Sequence, residues 1–323
     1  MPEYAIEADD LSVTYSDGTE AVRGVDLRVP EGEFFGFLGP NGAGKTTTIK
    51  VLSTLLSPTG GDVRVMGHDV EDEATSVRRS IGYMAQETSV DRDLTARENI
   101  RFACDAYGVP RGERAERIDE LLELVDLVDV ADKQASEFSG GMKKRLDAAT
   151  ALVHRPPLVF LDEPTTGLDP AARNRLWEYF RRINDQGTTI FLTTQYLEEA
   201  DQLCERLAVI RAGEIVLTGS PADLKREVGG EVLELDVSAD ERERALRVLE
   251  GADPIAPEDG VEVTDDGLTV TSRRAREIGT DLLVALRDAG ITVTGFNVRS
   301  PTLDDVFLAV TNDESAERRE VAE

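Results

Sequence analysis

Two textures of apolar residue run along this chain. Residues 4–15 and 21–29 are strand-like and flank Ser16-Asp17-Gly18, whose residue types favour a turn, so the spacing predicts the start of a β-meander. Residues 34–38, Phe-Phe-Gly-Phe-Leu, carry no polar position, and short apolar runs recur at 158–161 and 189–193. Runs of that length without alternation predict strands buried on both faces, as in a parallel sheet. Residues 61–66 read as a further short strand. Residues 95–130 turn helical, with Leu121, Leu122, Leu124, Val125 and Val128 at helical spacings, and residues 171–184 predict another helix. Strands at 207–210 and 214–217 around Ala212-Gly213 close this part as a hairpin.

A second unit begins near Gly229-Gly230. A strand at 231–237, a helix at 241–249, a hairpin at 261–271 around Asp265-Asp266-Gly267, a helix at 274–289 and a strand at 291–298 follow in turn. The order βαββαβ predicts a small ferredoxin-like α+β domain over residues 229–311. A short helix is expected from Thr302, capped by Thr302 with Asp304 and Asp305 in its first turn. The polar stretch 312–323 reads as a disordered tail.

At 323 residues the chain is long enough for two domains. It has no apolar run of membrane-spanning length, and MPEYAIEADD shows neither the basic nor the apolar part of a secretory signal. Cys104 and Cys204 fall in helix-like apolar patterns, so buried reduced thiols and a cytoplasmic setting are expected. The 64 acidic residues outnumber 36 basic ones, for a formal charge of −28, which argues against nucleic acid and anionic lipid as partners of the chain's own surface.

The chemistry is concentrated in three motifs. Residues 39–47 read GPNGAGKTT and match G-x-x-x-x-G-K-[ST]. In Gly39, Pro40, Asn41, Gly42, Ala43 and Gly44 the glycines allow backbone N–H groups to turn inward on phosphate oxygens. Lys45 then reaches the β- and γ-phosphates, and the Thr46 hydroxyl ligates Mg²⁺. Thr47 continues the loop into a helix over 46–56, whose N-terminus faces the anion. The apolar strand Leu158-Val159-Phe160-Leu161 ends in Asp162-Glu163, carboxylates suited to holding Mg²⁺ through its water shell and to orienting an attacking water. Just upstream, Ser139 caps a helix whose first residues, Gly140 and Gly141, leave N–H groups open to a γ-phosphate.

Taken in this order, the motifs make the chain resemble the ATP-binding subunits of ABC transporters. Phe138-Ser139-Gly140-Gly141 is similar to the family's signature, with Phe where Leu is usual. Gln86 matches its glutamine loop, Gly167-Leu168-Asp169-Pro170 its aspartate loop, and Tyr15 its adenine-stacking aromatic position. The resemblance spans roughly residues 4–225. It implies an α/β P-loop NTPase, with a RecA-like core, an antiparallel β subdomain and a helical subdomain near residues 88–148, all within a first domain of residues 1–228. It also implies ATP and Mg²⁺ as cofactors, with Thr46, Gln86 and Asp162 around the metal and Glu163, Lys45, Gln195 and Gln86 in catalysis. A head-to-tail dimer would sandwich each ATP between one copy's Lys45 loop and the other's Ser139 and Gly141. A multi-spanning permease would dock near Gln86, at the cytoplasmic face of the membrane.

One position departs from the pattern. Gln195 stands where the family usually has a histidine that contacts the γ-phosphate, and an amide donates a hydrogen bond but does not titrate near neutrality. Glutamine there, and Pro301-Thr302-Leu303-Asp304-Asp305-Val306-Phe307-Leu308, resemble the daunorubicin-resistance branch of drug exporters. His68 and His154 lack metal-ligand spacing. The alternatives are a soluble ABC-type ATPase acting on nucleic acid or ribosomes, and a nucleotide-dependent regulator that does not turn over. Neither tandem nucleotide domains nor coiled-coil insertions are visible for the first.

The charge excess predicts a salt-loving source, because ions screen self-repulsion among surface carboxylates. Thermal melting should shift upward from low-salt buffer to molar salt, and full stability at low salt would overturn that expectation.

Overall fold

The structure, a computed structural model, describes residues 4–307 apart from 228–229, 254, 257–259, 265–266 and 273. It divides into two compact units, Met1–Ser220 and Pro221–Glu323. The expected turn residues Asp265 and Asp266, Gly229, Leu308 and the tail at 312–323 lie outside the described residues.

The first unit opens with long antiparallel strands β1 (Tyr4–Thr14) and β2 (Glu20–Pro30). The next strand, β3 (Phe34–Leu38), does not continue a meander but leaves for a different sheet. Its sequence explains the departure, since all five of its residues are buried and need cover on both faces. A Cβ on Gly36 would stand 2.8 Å from Cys204 Sγ, so the strand is packed closely from one side. Helix α1 (Lys45–Leu52) follows the phosphate loop and stops short of residue 56. Thr54 takes φ +63, a left-handed conformation that ends helical bonding. Strands β4 (Gly60–Val65) and β5 (His68–Asp69) complete the antiparallel sheet in the order β2-β1-β4-β5.

Helix α2 (Ala74–Ser80) and strand β6 (Ile81–Met84) come next, both unmarked in the sequence pattern. The helical region contains α3 (Ala96–Ala106), α4 (Arg114–Leu124) and α5 (Gly140–Ala151). α3 is started by a capping box between Thr95 and Glu98. α4 ends at Leu124, and Asp126 at φ +55 turns the chain. Val128 therefore falls in a short 3₁₀ turn, 53% exposed, rather than on the apolar helix face that its spacing implied.

The remaining elements are β7 (Leu158–Asp162), α6 (Pro170–Asp185), β8 (Thr189–Thr194), α7 (Leu197–Leu203), β9 (Arg206–Arg211) and β10 (Glu214–Gly219). Ala212 and Gly213 both have positive φ, as a tight two-residue hairpin requires. Among the described residues the central sheet runs β10-β9-β3-β8-β7-β6, parallel except for β10. Phe35, Phe37 and Phe160 surround Phe191 at centroid distances of 5.5–5.7 Å, forming its aromatic centre. Cys104 and Cys204 are both buried and unpaired. No helix among the described residues is long and apolar enough to cross a membrane.

The second unit begins with α8 (Pro221–Glu227), then β11 (Glu231–Val237), α9 (Arg242–Glu250), β12 (Gly260–Val263), β13 (Gly267–Ser272), α10 (Ala275–Asp288) and β14 (Val293–Arg299). Strand order β12-β13-β11-β14, antiparallel throughout, is the ferredoxin-like arrangement expected from βαββαβ. Leu233, Leu235 and Val270 of the sheet form one core with Leu249 of α9 and Ile278 and Leu282 of α10. Residues 303–307 are helical. The Thr302 hydroxyl, however, donates to Asp305 Oδ2 at 2.9 Å, and Arg299 pairs with both Asp305 and Glu234.

Candidate functional site at the sheet edge

Strand register builds the site. Phe37 and Asp162 both pair with Thr193, and Leu38 pairs with Thr194. The ends of β3, β7 and β8 therefore stop at one level, and Gly39, Glu163 and Gln195 leave the sheet side by side. Met84 pairs with Leu161, which brings Gln86 to the same edge. Ligands of open parallel sheets bind outside this carboxyl edge.

The phosphate loop is wedged rather than free. A Cβ on Gly39 would stand 2.3 Å from the Ile210 carbonyl oxygen, and one on Gly44 2.5 Å from that of Ala21. Gly42 and Gly44 take φ +80 and +113, which side chains disfavour. Gly213 of the β9–β10 turn donates its N–H to the Ala43 carbonyl at 3.0 Å, and its own carbonyl accepts from the Arg23 N–H at 2.8 Å. Pro40, Asn41 and Gly42 are exposed at the loop's crest. No side chain caps the first turn of α1 and no acid stands there, so its leading N–H groups remain available to an anion.

Lys45 Nζ donates to the carbonyls of Gly39 at 2.7 Å and Pro40 at 3.1 Å, and lies 3.8 Å from Glu163 Oε1. Burial pushes the Lys45 ammonium pKa down, while the charges of Glu163 and Asp162 oppose that shift. Thr46 is half-buried at the helix start, and the Thr47 hydroxyl lies 3.0 Å from the Tyr15 hydroxyl. Tyr15 is 38% exposed, so a ring beside the loop still offers a face.

Asp162 Oδ1 accepts a 2.6 Å bond from the Thr193 hydroxyl. The next residue, Glu163, has φ +47, a conformation costing about 1–3 kcal/mol that only the surroundings can maintain. Its N–H donates to the Thr193 carbonyl at 3.0 Å. Its carboxylate accepts from Gln86 Nε2 at 3.3 Å and Thr166 Oγ1 at 3.4 Å. Lys45, Asp162, Glu163 and Gln86 thus form one cluster. A hydroxyl, a carboxylate and an amide oxygen on Thr46, Asp162 and Gln86 make an oxygen donor set of the kind Mg²⁺ takes.

Ser139, Gly140, Gly141 and Gln195 are not hydrogen-bonded into that cluster among the described residues. Ser139 caps α5, accepting from Met142 N at 3.3 Å, and Ser139 and Gly140 are exposed. Gly141 packs on α6, where an added Cβ would meet Ala172 Cβ at 2.9 Å. Asp169 caps α6 through the Ala172 N–H at 2.9 Å. Gln195 is exposed beyond β8.

Sequence reasoning missed the groups that brace these segments. Glu199, on α7 behind Gln195, is completely buried, and its Oε1 accepts from Thr165 Oγ1 and Trp177 Nε1, each at 2.9 Å. Burial pushes its carboxyl pKa up, against donors on Thr194, Trp177 and Thr165 and the charge of Arg173. Glu198 and Glu199 are adjacent in the sequence, and only packing reveals which one is inside. Lys144 and Asp147 on α5 are likewise buried. A helical spacing of three places them on one face, but nothing in the sequence distinguishes that face from a solvated one.

Comparison with known proteins decides what this edge belongs to. Residues 22–166 match the ABC transporter family, and residues 219–311 match the C-terminal domain of ATP-binding proteins like DrrA1-3. The chain is 43% identical, over 100% of its length and 99% of the relative's, to the daunorubicin/doxorubicin resistance ATP-binding protein DrrA of Streptomyces peucetius. The chain belongs to the ABC transporter family. It is also 34% identical to the linearmycin resistance ATP-binding protein LnrL of Bacillus subtilis, over 95% of this chain and 98% of that one. A solved ATP-binding cassette, dimeric in a post-hydrolysis state bound to ADP and Pi, aligns with a TM-score of 0.61 at 28% identity. That alignment covers 67% of this chain and 98% of the other. As an ABC ATPase the protein binds ATP and hydrolyses it to ADP and phosphate to power a separate membrane permease.

Trp177 is this ATPase's single tryptophan, so its emission reports on the Glu199 brace. Glu199→Ala should change that emission and cost about 2–4 kcal/mol, because two buried donors lose their acceptor. Glu199→Gln, which keeps an acceptor oxygen, should lose much less in thermal melting. Equal losses would show that the charge, not the acceptor, holds the segment.

Proposed function

We propose that this chain is the ATP-hydrolysing subunit of an exporter for a drug-like or lipid-like compound, working at the cytoplasmic face of the membrane as a head-to-tail dimer with Mg²⁺. The observation that carries the reading is the buried Lys45, Asp162 and Glu163 cluster, reached by the Gln86 amide, beside an open phosphate loop. Full-length similarity to DrrA, with the C-terminal domain included, supports the drug-export assignment. The exposure of Ser139 and Gly140 supports a composite site, since these N–H groups need an anion from elsewhere. In this reading the second copy supplies it, and a boundary between Ser220, where the first compact unit ends, and residue 228 separates the ATPase from an accessory α+β domain.

In turnover, Lys45 and the loop N–H groups hold the β- and γ-phosphates, and Tyr15 stacks on the adenine. Thr46, Asp162 and Gln86 would hold the divalent ion, which would supply neutralisation of phosphate charge. Thr193 fixes the Asp162 carboxylate. Glu163 orients and polarises the attacking water, its carboxylate aimed by Gln86, Thr166 and the strained backbone at φ +47. Gln195 donates its amide to the γ-phosphate. The −28 charge fits a salt-rich cytoplasm and disfavours nucleic acid as the partner.

Glu163→Gln should retain ATP binding and accumulate an ATP-bound dimer, measured by light scattering. A variant that stays monomeric at saturating ATP would sink the composite-site reading.

Gln195→His tests whether glutamine at this position impairs hydrolysis. Phosphate release should change by no more than about tenfold, the scale of one hydrogen bond to a charged group. A rise of several orders of magnitude would mean that the native site is degenerate.

A further inference from the structure

The segment that follows β6 is fastened at three successive points to the helical region. Lys144 Nζ on α5 donates to the Gln86 backbone carbonyl at 2.6 Å. Asp147 Oδ1, one turn further along α5, accepts from Ser89 N at 3.0 Å and Ser89 Oγ at 2.5 Å. Asn99 on α3 accepts from Asp91 N and donates back to the Asp91 carbonyl, both at 2.9 Å. Lys144 and Asp147 are 7% and 2% exposed, so neither is a solvated surface charge. Two buried charges on one helix face are costly to desolvate and persist only where they hold something.

What they hold is the backbone of the residue whose side chain reaches Glu163. Lys144 also stands five residues from Ser139, about 7.5 Å along the axis of the same rigid helix. We propose that Lys144 and Asp147 are positioning residues that clamp the Gln86 segment to α5, so that Gln86 at one nucleotide and Ser139 at the other move as one body. The proposal rests on the reading of Gln86, Glu163 and Ser139 given above. It adds a mechanical link between the two composite sites of the dimer. The link is direct because every step is a hydrogen bond or a helix: Glu163 to Gln86, Gln86 to Lys144, and Lys144 through α5 to Ser139. When the Gln86 side chain follows Glu163, its carbonyl carries Lys144, and Ser139 follows as the N-cap of the same continuous helix.

The test uses the full-length chain. Lys144→Met keeps the apolar stem and removes the donor, and Lys144→Arg keeps a donor. Asp147→Ala removes the second fastening. Measured quantities are ATP affinity of the single chain, kcat and KM for ATP, thermal melting, and the ATP concentration needed to dimerise each variant in the Glu163→Gln background. Lys144→Met should lower kcat by about tenfold and raise the ATP needed for dimerisation by a similar factor. Its single-chain ATP affinity should stay within about twofold of the parent. Lys144→Arg should restore most of both losses. Should Asp147→Ala fail to fold, the Lys144 pair alone decides the matter. Unchanged kcat and dimerisation in Lys144→Met would overturn the proposal. So would parallel loss of melting temperature, ATP affinity and kcat without rescue by Lys144→Arg, because that pattern belongs to packing alone. Gln86→Ala separates this failure from failure of the underlying site. An impaired Gln86→Ala beside a normal Lys144→Met refutes only the clamp, whereas a fully active Gln86→Ala refutes the role of Gln86 itself.

Discussion

Everything in the first unit depends on strands that have no polar face. β3, β7 and β8 are buried throughout, so they must lie inside a parallel sheet covered on both sides. Parallel strands are joined by crossovers that return each one to start at the same end, and their carboxyl ends therefore gather at a common edge. The register of Phe37 and Asp162 on Thr193 is the local expression of that constraint. Gly39, Glu163 and Gln195, separated along the chain, become neighbours because the apolar runs before them must be buried together.

The edge then carries an unusual load of buried charge. Lys45, Asp162 and Glu163 are each under 8% exposed, and Lys144 and Asp147 lie buried on the adjoining helix. Desolvation disfavours every one of these ions, and their opposite signs offset the cost only while the geometry holds. This accounts for the bracing found around them: Thr193 on Asp162, Gln86 and Thr166 on Glu163, and Ser89 on Asp147. It also accounts for the tolerated strain at Glu163, where backbone and side-chain partners together over-determine a left-handed conformation.

Legibility followed physical locality. The phosphate loop, the Asp162-Glu163 strand and the Ser139 cap were readable because each is a short run whose residues do their work together. Strands with continuous apolar sequence were readable for the same reason. Helix ends were not: α1 stops before Thr54 and α4 before Asp126, where single residues adopt left-handed backbone that side-chain type does not announce. β6 was hidden because Ile81-Gly82-Tyr83-Met84 is too short to show a period. Glu199 was hidden because its neighbour Glu198 has the same side chain and opposite exposure.

By itself, the sequence determined the class of chemistry. A glycine-rich loop ending in Lys45-Thr46, a strand ending in two carboxylates and a glycine-led helix are local chemical statements, and local bonding rules suffice to read them. The tertiary structure decided how those statements are joined. Gln86 meets Glu163 across seventy-seven residues of chain, and Lys144 meets the Gln86 carbonyl across fifty-eight. Such contacts follow from strand register and helix docking, which depend on the burial of the whole core and on no single segment.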